Sequence, residues 1–179
     1  VTLSRYPKNT SQPIMFDGSK VGSVAIGSNG KGAGTFRVPR KPYGVYPMVI
    51  GLRASHVDTQ FRVRPSITIA ESKVLPGQAV TITALGFYKN STISFQLDAV
   101  SGQAARSLGT YKTGPDGSLG VMLTIPSNAL AGTRTIRGTH SEAAAKDSVK
   151  VFVPTATKTP PGFRPKPPHQ NHDRHRLQS

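Results

Sequence analysis

Three histidines, His169, His172 and His175, recur at every third residue near the C-terminus. In a polyproline II helix of about three residues per turn their imidazoles would project along one side, and three imidazoles form a ligand set for Zn, Ni or Cu. The intervening Gln170, Asn171, Asp173 and Arg174 lack the rigid scaffold and hydrogen-bonded outer partners of a tuned site. The expectation is adventitious binding or none, and neither a metal ligand nor a cofactor is assigned. Hydrolysis by a Ser, His and carboxylate would need the three to converge, yet His56 and His140 each stand near a turn or polar stretch and neither lies in a nucleophile-elbow motif. The carboxylates Asp17, Glu71, Asp98, Asp116, Glu142 and Asp147 are scattered, with no close acidic pair for acid–base work. No catalytic residue is therefore expected, and the chain reads as a non-enzyme.

The stretch Gly27-Ser-Asn-Gly-Lys-Gly-Ala-Gly34 suggests a phosphate cradle, but it lacks Gly-Lys-Ser/Thr and leads into a strand, Thr35 to Val38, instead of a helix. It reads as a hairpin turn. Asp116-Gly-Ser lacks the acidic array that a hard cation with six or more oxygen ligands wants. The best candidate for surface binding is Arg37 to Tyr46, RVPRKPYGVY, where Arg37, Arg40 and Lys41 flank Tyr43 and Tyr46. Rings stack on sugars or bases while guanidinium and ammonium groups meet anions. The competing reading is an ordinary turn shaped by Pro39, Pro42 and Gly44, since Pro126 and Gly132 mark the same loop further on without its aromatics. Asn9-Thr-Ser and Asn90-Ser-Thr match glycosylation sequons, but Asn in turns explains both.

The elements that must position these residues are short strands. Val80, Ile82 and Ala84 alternate with polar residues; so do Ile93, Phe95 and Leu97, then Leu119, Val121, Leu123 and Ile125, and finally Val149, Val151 and Val153. That period of two marks strands with one buried face. Ile67 and Ile69 open the set and Ile136 marks a further strand, giving about seven. Pro76-Gly77, Lys89-Asn90-Ser91, Pro115-Asp116-Gly117 and Ala131-Gly132 supply the fixed or positive φ of tight reversals. Seven short strands in roughly 90 residues point to a two-sheet sandwich.

The unit is repeated. Val21 to Pro39 lies over Leu108 to Pro126 without a gap, matching Gly22 with Gly109, Gly27 with Gly114, Gly30 with Gly117 and Pro39 with Pro126. Upstream, Val1-Thr-Leu and Tyr6-Pro-Lys-Asn-Thr answer Val80-Thr-Ile and Phe87-Tyr-Lys-Asn-Ser; downstream, Gly44 answers Gly132. The succession Pro76-Gly77-x-x-Val80, Gly86-Phe87, Gly109-Thr110, Pro115-Asp116-Gly117-Ser118, Ile125-Pro126 and Ala131-Gly132-Thr133 resembles bacterial immunoglobulin-like tandem repeats of the IPT/TIG kind. The resemblance covers residues 66–153 fully and 1–65 without the first strand. It implies an Ig-like sandwich in a stalk, an adhesin module or an accessory domain of an exported enzyme. Copy one lacks the insertion around Ser101 to Arg106.

The expected architecture is thus all-β: two tandem immunoglobulin-like β-sandwich modules, 1–65 without its opening strand and 66–153 complete, then a disordered proline-rich basic tail, 154–179, with six Pro in 26 residues. With 18 Gly, 15 Pro and no Trp or Cys in 179 residues, disulfides and thiolate sites are excluded and a large helical core is not expected. No run of about 18 apolar residues exists, so no transmembrane segment is expected; Val1 opens inside a strand pattern with no charged leader, so the chain reads as a fragment. The net charge of +15 divides as +8, +3 and +4 over the three segments, from 10, 8 and 5 basic against 2, 5 and 1 acidic residues. That balance attracts anionic partners through a field that salt screens. An anionic cell-wall polymer, a polysaccharide or a host surface protein is expected in preference to nucleic acid, at an extracellular or cell-surface location. The leading expectation is a structural stalk or adhesion module, and the alternative is a carbohydrate- or polyanion-binding module.

Overall fold

The computed structural model describes residues 1–52, 56–141 and 143–152. The tail 154–179, with its three histidines, lies outside the described residues, as does Glu142. Every regular element among the described residues is a β-strand.

The second module runs β7 (Ser66–Ile69), β8 (Lys73–Val74), β9 (Ala79–Leu85), β10 (Thr92–Leu97), β11 (Arg106–Lys112), β12 (Leu119–Thr124), β13 (Gly132–His140) and β14 (Ala143–Val151). One sheet has the order β12-β9-β7 and the other β11-β10-β13-β14-β8, all antiparallel except β8 against β14. The chain passes repeatedly between two facing sheets, with β10–β11 and β13–β14 as hairpins within one of them, which is the immunoglobulin-like sandwich. The alternation read from the sequence is the burial pattern observed. Val80, Ile82, Ala84, Ile93, Phe95, Leu97, Leu123, Ile125 and Ile136 form one buried core. The module has eight strands where about seven were expected, because its opening strand is divided. β7 joins one sheet through β9 and β8 joins the other through β14. The Glu71 carboxylate between them accepts the Thr81 N–H at 2.8 Å and the Thr81 hydroxyl at 3.0 Å.

The first module repeats this order with β1 (Thr2–Leu3), β2 (Ser11–Phe16), β3 (Ser19–Ala25), β4 (Gly32–Ala33), β5 (Gly44–Ile50) and β6 (Val57–Val63). Its sheets are β1-β4 and β3-β2-β5-β6, and no described residue takes the place of β7 or β8. The duplication extends to an irregularity. β2 and β3 shift register between Ile14 and Met15, and β10 and β11 shift at the matching point between Phe95 and Gln96.

Strand pairing corrects two details of the sequence alignment. Leu3 pairs with Gly32 as Ala84 pairs with Leu119, so Val1–Leu3 matches Ile82–Ala84, two residues beyond the Val80–Ile82 that residue type suggested. The strand expected at Thr35 to Val38 is not formed; the strand in this stretch lies earlier, at Gly32–Ala33. Val1 and Gly34 exchange hydrogen bonds at 2.8 and 3.0 Å, and beyond Gly34 the segment keeps its alternating burial without a strand bonded beside it.

Candidate functional site

Arg37 to Tyr46 covers the end of the β4–β5 connection and the first residues of β5, at the pole of the first module that faces the second. Its residues divide into three groups. Arg37 and Arg40 are exposed. Lys41 and Tyr46 turn back onto their own module: the ammonium meets Asp17 Oδ2 at 2.6 Å and lies 5.7 Å from the Tyr46 ring centre, while the Tyr46 hydroxyl donates to the Pro42 carbonyl at 2.9 Å. Hydrogen bonding to Asp17 raises the Lys41 pKa above its ordinary value. Asp17 reaches this position because Asp17 and Gly18, at φ 47° and 76°, close the β2–β3 hairpin in two residues.

Tyr43 faces the other way. Its N–H donates to the Phe87 carbonyl at 2.8 Å, and its ring sits 5.0 Å from Tyr88, which sits 5.0 Å from His140. Interplanar angles of 49° and 51° give tilted contacts within the favourable range for aromatic pairs. Tyr43 and Tyr46 are both half-buried, so neither ring is free to stack on a sugar or base.

The receiving surface is built by turns. Gly86, at φ 69°, turns the chain after β9, and the Phe87 N–H donates to the Gly117 carbonyl at 3.1 Å. The Thr113 hydroxyl reaches the Tyr88 carbonyl at 2.6 Å and accepts the Ser91 N–H at 2.9 Å, which fixes the backbone that presents the Tyr88 ring. Gly117 has no side chain for a reason: a Cβ there would meet the Phe87 carbonyl and lie 2.8 Å from Pro42 Cα of the first module. Asp116 beside it accepts the Ser118 hydroxyl at 2.6 Å and the Ser118 N–H at 3.0 Å. These bonds hold its pKa below the ordinary value, with Arg40 of the first module adding to the effect.

Reading the sequence copy by copy missed Phe87, Tyr88, Gly117 and His140 as partners of Tyr43. The signal lay in differences between copies. Pro7 stands where Tyr88 does, Leu52 where His140 does, and Ala131 precedes Gly132 as Tyr43 precedes Gly44. At these three matched positions the rings occur only in the copy whose residue lies at the junction. Of the module histidines, His140 packs on Tyr88 and His56 lies 3.3 Å from Asp58. Among the described residues no group of three His, Asp or Glu side chains is placed to hold a metal.

No protein-family model matches the chain, and no curated protein matches it. Among solved structures it is similar to a tetra-tandem repeat from the extending region of a large adhesion protein, at 14% identity over 80% of this chain and 42% of that one, with a TM-score of 0.37. It is also similar to a complex of Dpr2 Ig1–Ig2 with DIP-Theta Ig1–Ig3, at 14% identity over 79% of this chain and 53% of that one, TM-score 0.37. A third is the N-terminal eight Ig domains of Down syndrome cell adhesion molecule isoform 1.30.30, at 18% identity over 79% of this chain and 22% of that one, TM-score 0.30. The chain spans about half or less of the length of each. At these scores the assignment of an immunoglobulin-like fold rests on the strand order of the sheets.

Proposed function

We propose that the chain is a non-enzymatic extracellular segment, a structural stalk or adhesion module of a bacterial surface or secreted protein, in which two Ig-like modules are coupled end to end. The observation that carries this reading is the junction. Tyr43 of one module is hydrogen-bonded to Phe87 and packed on Tyr88 of the next, so the modules meet through ordered aromatic contact as well as through the chain at Pro65. A spacer needs such coupling, because a free hinge between modules transmits reach poorly.

Stretching the full chain in a force spectrometer tests it. Two separate unfolding events at measurable load are expected, and a first module that extends at negligible load would exclude a mechanical role. A second reading, binding of an acidic polysaccharide or anionic wall polymer, is favoured by the exposed Arg37 and Arg40 on a module of charge +8. Retention on a heparin column that is unchanged in the Arg37→Ala, Arg40→Ala variant would remove the loop from that reading.

A further inference from the structure

A strand with one buried face presents its other residues outward, and the two copies fill that outer face differently. On the larger sheet of the first module the residues alternating with the core are Pro13 and Met15 on β2, Val45, Pro47 and Val49 on β5, and Asp58, Gln60 and Arg62 on β6. Strand pairing matches the first five with Ser94 and Gln96 of β10 and with Thr133, Thr135 and Arg137 of β13. Five polar positions of one copy are therefore apolar in the other. A solvated sheet face is ordinarily polar.

Val45 is 46% exposed, Pro47 is exposed, and Pro13, Met15 and Val49 are half-buried. Met15 lies opposite Val49 across the β2–β5 pair, so apolar surface runs from one strand to the next. Two of the five are prolines on interior strands, where each forgoes a ladder hydrogen bond. Strand formation alone does not favour that choice. Along β5 and β6 the outward residues form three cross-strand rows: Val45 with Arg62, Pro47 with Gln60, and Val49 with Asp58. Asp58 lies 3.3 Å from His56 but keeps 71% of its side chain exposed. The rows are thus apolar along β5, while β6 is basic at one end, neutral in the middle and acidic at the other. Pro47, Val49, Asp58 and Gln60 border a shallow depression of about 300 Å³.

We propose that this face docks a second copy of the same chain. A two-fold axis over the middle row, perpendicular to the strands, sets Pro47 against Pro47 and Gln60 against Gln60. It brings Val45 of one chain over Val49 of the other, and Arg62 of one over Asp58 of the other, so one patch used twice is complementary to itself. An axis along the strands would instead lay Arg62 on Val45 and Asp58 on Val49, burying both charges without partners. The net charge of +15 opposes association at long range, but Arg62 and Asp58 balance within the rows, Lys20 stands at the far edge beside Met15, and salt screens the rest. Four strands of six or seven residues make a face roughly 20 Å on a side, the size of a weak, reversible interface. The two-fold axis sends the second modules out at opposite ends of the pair. This claim goes beyond the stalk reading and is independent of it, since it does not use the Tyr43 junction.

The test is sedimentation equilibrium of the full chain at physiological ionic strength. A monomer–dimer equilibrium is expected, with a dissociation constant on the order of 10–100 μM. The Val45→Thr, Pro47→Thr variant carries the residues that the second module already holds at these strand positions, so its fold is retained. It should dimerise at least about tenfold more weakly, because each apolar side chain is lost twice in a symmetric pair. Asp58→Arg should weaken the dimer several-fold by setting like charges opposite one another. Asp58→Arg combined with Arg62→Asp, at unchanged net charge, should restore it. A chain that stays monomeric up to millimolar concentration, a Thr variant that dimerises as well as the unaltered chain, or a charge-swapped variant as weak as Asp58→Arg alone would overturn the proposal.

Discussion

The backbone N–H of Tyr43 donates to the carbonyl of Phe87 at 2.8 Å, joining a loop of one module to a turn of the next, and the Tyr43 and Tyr88 rings meet beside that bond at 5.0 Å. A surface loop rich in Arg, Lys and Tyr becomes a connector because its aromatic residue finds a second aromatic to pack on, while its exposed cations stay in solvent.

Tyr43→Ala leaves the N–H in place and removes the ring. Loss of one aromatic pair of about 0.5–1.5 kcal/mol beyond area burial is too little to unfold a module but enough to loosen the junction. Small-angle scattering should show a broader distance distribution and a larger radius of gyration, with both melting transitions moved by only a few degrees. An unaltered scattering curve would mean that the junction does not couple the modules.

Arg5 adopts φ 65° at the position where the second module has Gly86 at φ 69°. A residue with a Cβ in the left-handed region costs about 1–2 kcal/mol relative to glycine. Arg5→Gly should therefore stabilise the first module by somewhat under that amount, since the unfolded chain gains freedom. Gly86→Ala should do the reverse more strongly, because a Cβ there meets the Arg64 carbonyl as well as the φ penalty. Urea midpoints of the two transitions check both signs.

Gln12 is buried on β2 with its Nε2 donating to Thr10 Oγ1 at 2.9 Å and its Oε1 without a partner. The matching residue on β10 is Ile93, fully buried. A buried unsatisfied acceptor costs about 1–3 kcal/mol. Gln12→Ile should raise the melting temperature of the first module by several degrees in calorimetry, the second transition staying fixed. A lowered first transition would show that the amide is held by more than Thr10.

How much of this was legible depends on whether the information is local. The core strands were, because alternation is local: Ile93, Phe95 and Leu97 are each fully buried as their spacing requires. Turns were legible where positive φ demands Gly or Asn, as at Gly30, Asn90 and Gly117. The junction was not, because Tyr43 and Tyr88 are 45 residues apart and each alone reads as a loop aromatic. Nor was the alignment of β1. Val-Thr-Leu and Val-Thr-Ile match in residue type, but hydrogen bonding to β4 sets the register, and that partner is about 30 residues away.

Acid should weaken the fold through two carboxylates. The Thr81 N–H and hydroxyl hold the Glu71 pKa below its ordinary 4.5, and the Ser118 hydroxyl and N–H hold Asp116 below its ordinary 3.8. With the folded values lowered, the unfolded chain binds more protons in this range, so stability is complete above about pH 4.5 and falls as pH drops through the folded values. Both groups are partly exposed to solvent, so the loss is modest. The urea midpoint of the second module should fall between pH 5 and pH 2.5, and should fall less in the Glu71→Gln, Asp116→Asn variant. Equal slopes in the two proteins would locate the acid sensitivity elsewhere.

Arg134 is a fully buried cation whose partners are neutral. Its guanidinium donates to Gln103 Oε1 at 2.7 Å and to the Asp98 carbonyl at 3.0 Å, and its Nε has no partner. The Asp98 carboxylate instead meets Arg137 at 3.6 Å. Gln103 also donates through Nε2 to the Asn128 carbonyl at 2.7 Å, so one amide ties the loop absent from the first module to the turn before β13. Removing the acceptor should hurt more than removing the charge. Gln103→Ala leaves a buried guanidinium short of one acceptor, at a cost of about 1–3 kcal/mol or more for a charged group. Arg134→Met removes the charge with its desolvation and keeps the apolar stem, and such exchanges are often neutral or stabilising by about 1–4 kcal/mol. The double variant should therefore be more stable than Gln103→Ala alone in chemical denaturation. If Arg134→Met costs as much as Gln103→Ala, the guanidinium's two hydrogen bonds outweigh its burial.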